Sequence, residues 1–402
     1  MFKSLNLKII LFGFIFTFFS SFGQSFFLGL FNSSIRDALS ITHGQFGSVY
    51  ASATLLSSFI LVWIGKKIDD VNILKFASYV IALLAISCFL FSKISSIIFL
   101  FFSIFLMRLS GQGLMSHTAT TTISRYFDRS RGRALSTTWL GLSLAEFILP
   151  LLIVFLLTII QWRNIWLFIS ILVIIVLPLV SFLLVRNINL ESRESSTYKD
   201  KKIKEIKQWK RNEVLKDYRF YIICLNMLAM PWIATGTFVY QSFITSSKSW
   251  GPYVIAQSFM VYSILSVVTL FFSGFLIDKF SSRKLLIYMN IPLFFSVLVL
   301  YYFNSPVSSF VFLGLIGVSN GLSNVLGSST WAEIYGVKHI GSIKALTTAL
   351  MVFSTAFGTA LFGILIDKNF SIEQIAMISG LYILISIILL FFIKNKLNPS
   401  YL

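Results

Sequence analysis

The sequence predicts an all-α integral membrane protein with twelve transmembrane helices in two sets of six. Three observations predict it. Of 402 residues, 56% are hydrophobic and 12% charged, and the mean hydropathy is +0.85, far from the balance of soluble domains. Stretches such as "IILFGFIFTFFSSFGQSFFLGLF" and "LYILISIILLFFI" approach or exceed the ~20 apolar residues that cross a hydrocarbon core. The runs are also apolar on every face, whereas a spanning β-barrel alternates polar and apolar residues over segments of roughly ten. Helices therefore satisfy the backbone in lipid.

The first span, near 7–31, follows Lys3 and Lys8 and so imitates a secretory signal. Its apolar run outlasts a signal core and no A-x-A-like site follows, so it is read as retained. The second, near 44–65, stops at "KKID", and the third, near 74–94, lies between Asp70 and "SKISS". The fourth, near 97–124, carries Arg108; the fifth, near 133–160, begins after "DRSRGR"; the sixth, near 164–186, begins after "QWRN". A lysine-rich polar segment, 187–217, then separates residues 1–186 from 218–402 as a cytoplasmic linker. A plain solvated linker is the reading, with part of it able to form a basic amphipathic helix on an anionic membrane surface. Beyond it, span seven, near 218–245, is interrupted by "MPWIATG", and span eight, near 253–278, ends at "IDKFSSRK". Spans nine to twelve follow near 284–303, 307–333, 341–366 and 372–393. Cys88 and Cys224 sit in apolar surroundings, which suggests neither a disulfide framework nor a metal site.

Orientation follows from the basic residues. With both termini cytoplasmic, the outer side keeps only Arg36, Lys93, Arg163, Lys248 and Lys368 of the 33 Lys and Arg, and Arg108 lies inside the membrane. That asymmetry fixes the topology by the positive-inside rule and accounts for the net charge of +18 without a nucleic-acid partner. Compact loops and short termini suit a bacterial inner membrane.

The halves resemble each other at one constant offset. "GKKID" (Gly65, Asp69) recurs as "GFLID" (Gly274, Asp278), Tyr126 as Tyr335, and Gly132 of "RGRAL" as Gly341 of "IGSIKAL". Four matches in one register argue for a parallel internal repeat, the architecture of transporters whose substrate site lies between halves near midplane. At these residues the sequence resembles the major facilitator superfamily. "GKKID" and "GFLIDKFSSRK" are similar to its loop signature between spans two and three and the repeat between eight and nine; "RLSGQG" to its fourth-span arginine-glycine pattern; "QWRNIW" to its Trp-Arg start of span six. The resemblance implies two pseudo-symmetric six-helix bundles. "RYFDRSRGRAL" paired with "AEIYGVKHIGSIKAL" resembles the branch of monocarboxylate and oxalate carriers. Three features depart from these patterns: Asp70 and "VNILK" replace the basic turn after Asp69, the spacing from Asp278 to Arg283 is long, and "TLFFSG" in span eight lacks the arginine of anion carriers.

A cytoplasmic gate is expected at Gly65, Asp69, Gly132, Gly274, Asp278, Gly341 and Arg125. A carboxylate facing a helix N-terminus gains about 0.3 to 2 kcal/mol, and glycine permits close approach. In the two-fold arrangement that the resemblance implies, Asp69 faces span eleven and Asp278 span five. The alternative is that both aspartates merely end their helices. "GILIDK" at Gly363 and Asp367 matches the same short string on the outer side.

Arg108 needs a partner, because a charge near the centre of a membrane helix costs at least a few kcal/mol unless it faces protein or water. Three are available: Gln112 at i+4, Glu146 in the next antiparallel span, or an anionic substrate. A structural Arg108–Glu146 ion pair and direct participation in substrate or proton coupling are both open. Gln24, Tyr240, Gln241, Asn320 and Asn324 lie on spans one, seven and ten, and the resemblance implies a central cavity lined by these and span four. Each alone is equally a helix-packing hydrogen bond. His117 lies on the far face of span four from Arg108 and is read as a packing residue.

These readings predict a secondary transporter of a small organic solute, an anion such as a carboxylate, working by rocker-switch alternating access with proton coupling. No cofactor and no metal are expected; the partners are a small-molecule substrate, protons and the lipid bilayer, and the functional unit is a monomer. A multidrug-type proton antiporter is the alternative within transport. A membrane enzyme or non-transporting sensor is the alternative outside it, with no H-E-x-x-H or G-x-x-x-x-G-K-[ST] string to support it.

Overall fold

The computed structural model describes residues 4–127, 131–186, 207–336 and 338–398, with the backbone alone at 4–6, 69, 131, 132, 278, 328 and 341. Twelve helices among the described residues are long and apolar enough to cross a membrane. Spans one to six are Leu7–Gly29, His43–Ile68, Ile73–Ser92, Ile97–Tyr126, Arg133–Ile159 and Trp162–Val185. Spans seven to twelve are Tyr218–Val239, Val254–Ile277, Ser282–Tyr302, Pro306–Tyr335, Ser342–Asp367 and Ile372–Lys396.

Side-chain oxygens that accept otherwise unpaired first-turn amides set several starts. Thr42 and Gln45 form a reciprocal capping box at span two, and Ser371 and Gln374 another at span twelve. Ser96 accepts from the Phe99 amide at 3.2 Å ahead of span four. The expected interruption of span seven at "MPWIATG" is corrected: Tyr218–Val239 runs as one helix through Pro231. Membrane helices tolerate proline because neighbouring groups satisfy the freed carbonyls. The chain instead turns at Tyr240 before a short helix, Gln241–Ser247.

The chain divides into two compact units. The first holds Met1–Glu194 together with two short segments of the second half, Phe238–Phe243 and Thr359–Asp367. Within it, span one packs on span five, two on four, and three on six. Small hydroxyl residues let these helices approach: Thr17 Oγ1 donates to Thr138 O at 2.5 Å, Ser110 Oγ to Ser87 Oγ at 3.1 Å, and Ser170 Oγ to Ala85 O at 2.8 Å.

The second unit holds Ser195–Thr237, Ile244–Gly358 and Lys368–Leu402. There span eight packs on ten and nine on twelve, while Ser354 Oγ of span eleven donates to Leu228 O of span seven at 2.9 Å. These pairings repeat those of the first unit, helix for helix. The end of the linker belongs to this unit's core: the Trp209 amide donates to Tyr335 O at 3.0 Å, its ring meets Tyr335 edge-on, and the Lys338 amide donates to Gln208 Oε1 at 2.9 Å. One helical turn, Arg211–Val214, follows, with Glu213 accepting from the Lys210 amide at 2.7 Å, a bond that holds its carboxyl below the usual range. The amphipathic-helix reading of 187–206 lies outside the described residues.

Candidate functional site

Span four changes its winding where its sequence turns small and polar. Arg108–Met115, "RLSGQGLM", forms a π-helical segment, a local widening that recurs at functional positions. Span one breaks at the same level. Its helix passes through a 3-10 turn, Ser21–Gly23, then Gln24 in extended geometry (φ −83°, ψ 153°), and resumes as Ser25–Gly29. The amides of Phe27 and Leu28 turn to Gln24 O, at 3.2 and 3.0 Å. The two irregular segments meet where Gly23 and Gly111 are in backbone contact that a Cβ on either would block.

The break supplies the partner for Arg108. The side chain is 3% exposed. Nη1 donates to Gly23 O at 3.0 Å and to Ser25 Oγ at 3.3 Å. The guanidinium carbon lies 5.4 Å from the centre of the Tyr50 ring, within cation–π range, and Tyr50 OH donates to the same Ser25 Oγ at 3.0 Å. Nε is buried without a hydrogen-bond partner. Among the described residues no carboxylate bonds to Arg108, so the Arg108–Glu146 ion pair does not form. Glu146 is buried in span five at 9% exposure and makes no hydrogen bond or ion pair among the described residues. An arginine held by carbonyl and hydroxyl dipoles keeps its full charge for another anion.

The other expected site residues separate. Gln24 sits at the break in span one and Gln112 on the π-helical segment, both partly buried. Tyr240 and Gln241 belong instead to a buried clasp inside the first unit. Tyr240 OH lies 2.9 Å from His43 O and 3.1 Å from Thr359 O, and Gln241 Nε2 donates to Phe26 O and Phe238 O, each at 2.9 Å. In the second unit Asn320 Nδ2 donates across to Ser266 Oγ of span eight at 2.9 Å, while Asn324 is exposed.

Of the gate residues, the side chains of Asp69 and Asp278, and Gly132 and Gly341 beyond their backbone, lie outside the described residues. His117 Nε2 lies 3.0 Å from Gly65 O, and Arg125 Nη1 donates to Ile68 O at 3.0 Å, so span four braces the turn that carries Asp69. At Gly274 a Cβ would meet nothing within 4 Å among the described residues. Ser25, Tyr50, Asn32 and Asp367 were not among the expected site residues. Only the cluster of small polar residues in "FSSFGQS" marked the break. Glu333 was missed too: its Oε2 accepts from Ser282 N at 2.9 Å and Ser282 Oγ at 2.5 Å, and its Oε1 lies 3.0 Å from Arg283 Nε.

Comparison with known proteins agrees with this architecture. The profile of the Major Facilitator Superfamily matches residues 13–244 and 221–401. A bacterial homolog of the human lysosomal transporter Spinster, in an inward-facing and unoccupied conformation, superposes with a TM-score of 0.76 at 14% identity, covering 100% of both chains. The nucleoside transporter NupG superposes with a TM-score of 0.68 at 14% identity, covering 98% of this chain and 99% of its own. At these identities the likeness is one of fold. No curated protein matches the chain in sequence.

Proposed function

The chain belongs to the major facilitator superfamily, and from that premise we propose that this secondary transporter carries a small organic anion, such as a carboxylate, by proton-coupled alternating access. Arg108 carries the reading: a guanidinium at 3% exposure, bonded to a carbonyl and a hydroxyl, with no acidic counter-ion among the described residues. Such a charge is costly in a membrane unless it faces protein or water, and a charge kept at that cost marks a substrate or ion pathway. A carboxylate offers acceptors to its unpartnered Nε and repays the cost with charge-assisted bonds. Gln24 and Gln112, on the two irregular segments beside it, supply neutral donors for the rest of the solute. Glu146, buried in span five without a hydrogen bond or ion pair among the described residues, is the proton carrier of this reading. The asymmetry of Lys and Arg supports cytoplasmic placement of both termini, and the compact loops suit a bacterial inner membrane.

The test is counterflow in proteoliposomes with labelled carboxylates, sugars, amino acids and cationic drugs. Carboxylate exchange that Arg108→Gln abolishes, and uptake whose response to an imposed pH gradient is lost in Glu146→Gln, are the expected results. Exchange of cationic drugs alone would overturn the anion reading in favour of a multidrug-type antiporter.

A further inference from the structure

The helix Ser25–Gly29 is held at both ends by groups with different functions. At its start, Gly23 O and Ser25 Oγ accept from Arg108, and Tyr50 OH takes a second lone pair of Ser25. That bond fixes the hydroxyl in the rotamer that faces Nη1. One residue on, Phe26 O accepts from Gln241 Nε2, and at the other end Gly29 presses on Phe238 O so closely that a Cβ would overlap it. Just beyond, Asn32 Nδ2 donates to Val239 O at 2.7 Å, and its Oδ1 accepts from Arg36 Nε at 2.8 Å, which fixes the amide's orientation. At a rise of about 1.5 Å per residue the helix is only one turn and a half long, so displacement of one end is displacement of the other.

We propose that Ser25 and Tyr50 are positioning residues that make this short helix a lever between the anion site and the clasp on Phe238–Phe243. With the site empty, Arg108 pins the break in span one and the clasp stays shut. An anion that draws Nη1 from Gly23 O and Ser25 Oγ releases the near end, and the helix loosens its hold on the clasp through Phe26, Gly29 and Asn32. The last step rests on the reading of Arg108 as the anion-binding group; the mechanical link does not. A ligand shifts a two-state element only by its difference in affinity for the two states, and competition for one guanidinium supplies that difference.

The experiment is amide hydrogen exchange on the full chain in lipid nanodiscs without substrate. In Ser25→Ala and Arg108→Gln, exchange at 25–29 and 238–243 is expected to rise roughly tenfold or more, as the loss of a charge-assisted hydrogen bond implies. Tyr50→Phe gives a smaller rise at the same two segments, and Ser25→Thr, which keeps the hydroxyl, stays near wild type. Spans nine and twelve, packed on each other in the second unit, are unchanged. Exchange at 238–243 that ignores Ser25→Ala overturns the lever, as does a uniform rise over all spans, which would report a loosened fold. Because no substrate is present, failure of carboxylate counterflow removes the anion and leaves the lever standing; wild-type exchange in the variants does the reverse.

Discussion

Asp367, the last residue of span eleven, places Oδ2 2.9 Å from the backbone amide of Gly44, in the first turn of span two. A carboxylate on the free amides of a 23-residue helix is the interaction expected at Asp69 and Asp278, found at the opposite helix ends. The string "GILID" that carries it repeats the "G-x-x-I-D" that ends at Asp69 and at Asp278. On the proposed orientation, Asp367→Asn loosens Thr359–Asp367 from span two. With about 0.3 to 2 kcal/mol at stake, the ratio of outward-open to closed protein rises roughly two- to thirtyfold. Thiol labelling of a cysteine at Ala51, buried on the face of span two that carries Gly44 and Gly47, checks it: faster labelling is expected, and an unchanged rate refutes the role.

Tyr240→Phe tests the clasp by its hydroxyl alone. The ring is fully buried, and its stacking on Phe362 at 6.3 Å is kept in phenylalanine. The His43 and Thr359 carbonyls lose a donor, which costs about 1 to 3 kcal/mol when the acceptor stays buried. The melting temperature in detergent falls accordingly. Carboxylate affinity measured at the inner face is unchanged, because Tyr240 binds backbone carbonyls and not solute. A selective loss of affinity with no loss of stability would return Tyr240 to the substrate site.

The apolar runs placed eleven of the twelve spans to within three residues, because membrane length and charged punctuation leave a helix little freedom in where it ends, and overran the end of span seven. The burial of Arg108 was legible for the same reason. Its partners were not. Gly23 becomes an acceptor only because span one breaks at Gln24, and that break is stabilised by tertiary contact with Gly111 on a segment whose winding is itself irregular. Local propensity carries no record of either. Tyr240 and Gln241 show a second limit: a polar residue in a span satisfies itself equally against a wet cavity or a neighbouring backbone, and the sequence pattern of the two is the same. Pro231 shows a third, since a proline that would end a soluble helix passes through span seven.

Asp69→Asn is the cytoplasmic counterpart of Asp367→Asn. The repeat of Gly65 and Asp69 at Gly274 and Asp278 supports a gate at that face, and Arg125 and His117 hold the turn from span four. The substitution is expected to favour the inward-open state. Labelling of a cysteine at Thr121, partly exposed on span four, should become faster; an unchanged rate would leave Asp69 as a helix end and nothing more.

Lys248 separates the stability of the second unit from transport. Its side chain has no exposure, and Nζ lies 2.7 Å from both Glu373 Oε1 and Asn304 Oδ1, joining the start of span twelve to the turn before span ten. The Trp250 indole donates to Asn304 O at 2.8 Å and closes the same corner. Glu373 keeps 37% of its side chain in solvent, so screening weakens the attraction while burial of the ammonium still has its full cost. Removing the carboxylate alone should therefore destabilise more than removing the charge: Glu373→Ala leaves a buried cation with one neutral acceptor, whereas Lys248→Met leaves an apolar side chain of similar length. Thermal denaturation is expected to place Lys248→Met above Glu373→Ala by roughly 1 to 3 kcal/mol. Both variants should keep wild-type KM for the transported solute, since neither residue belongs to the unit that holds Arg108. A changed KM in Lys248→Met would mean that the charge itself, and not the packing of this corner, reaches the transport cycle.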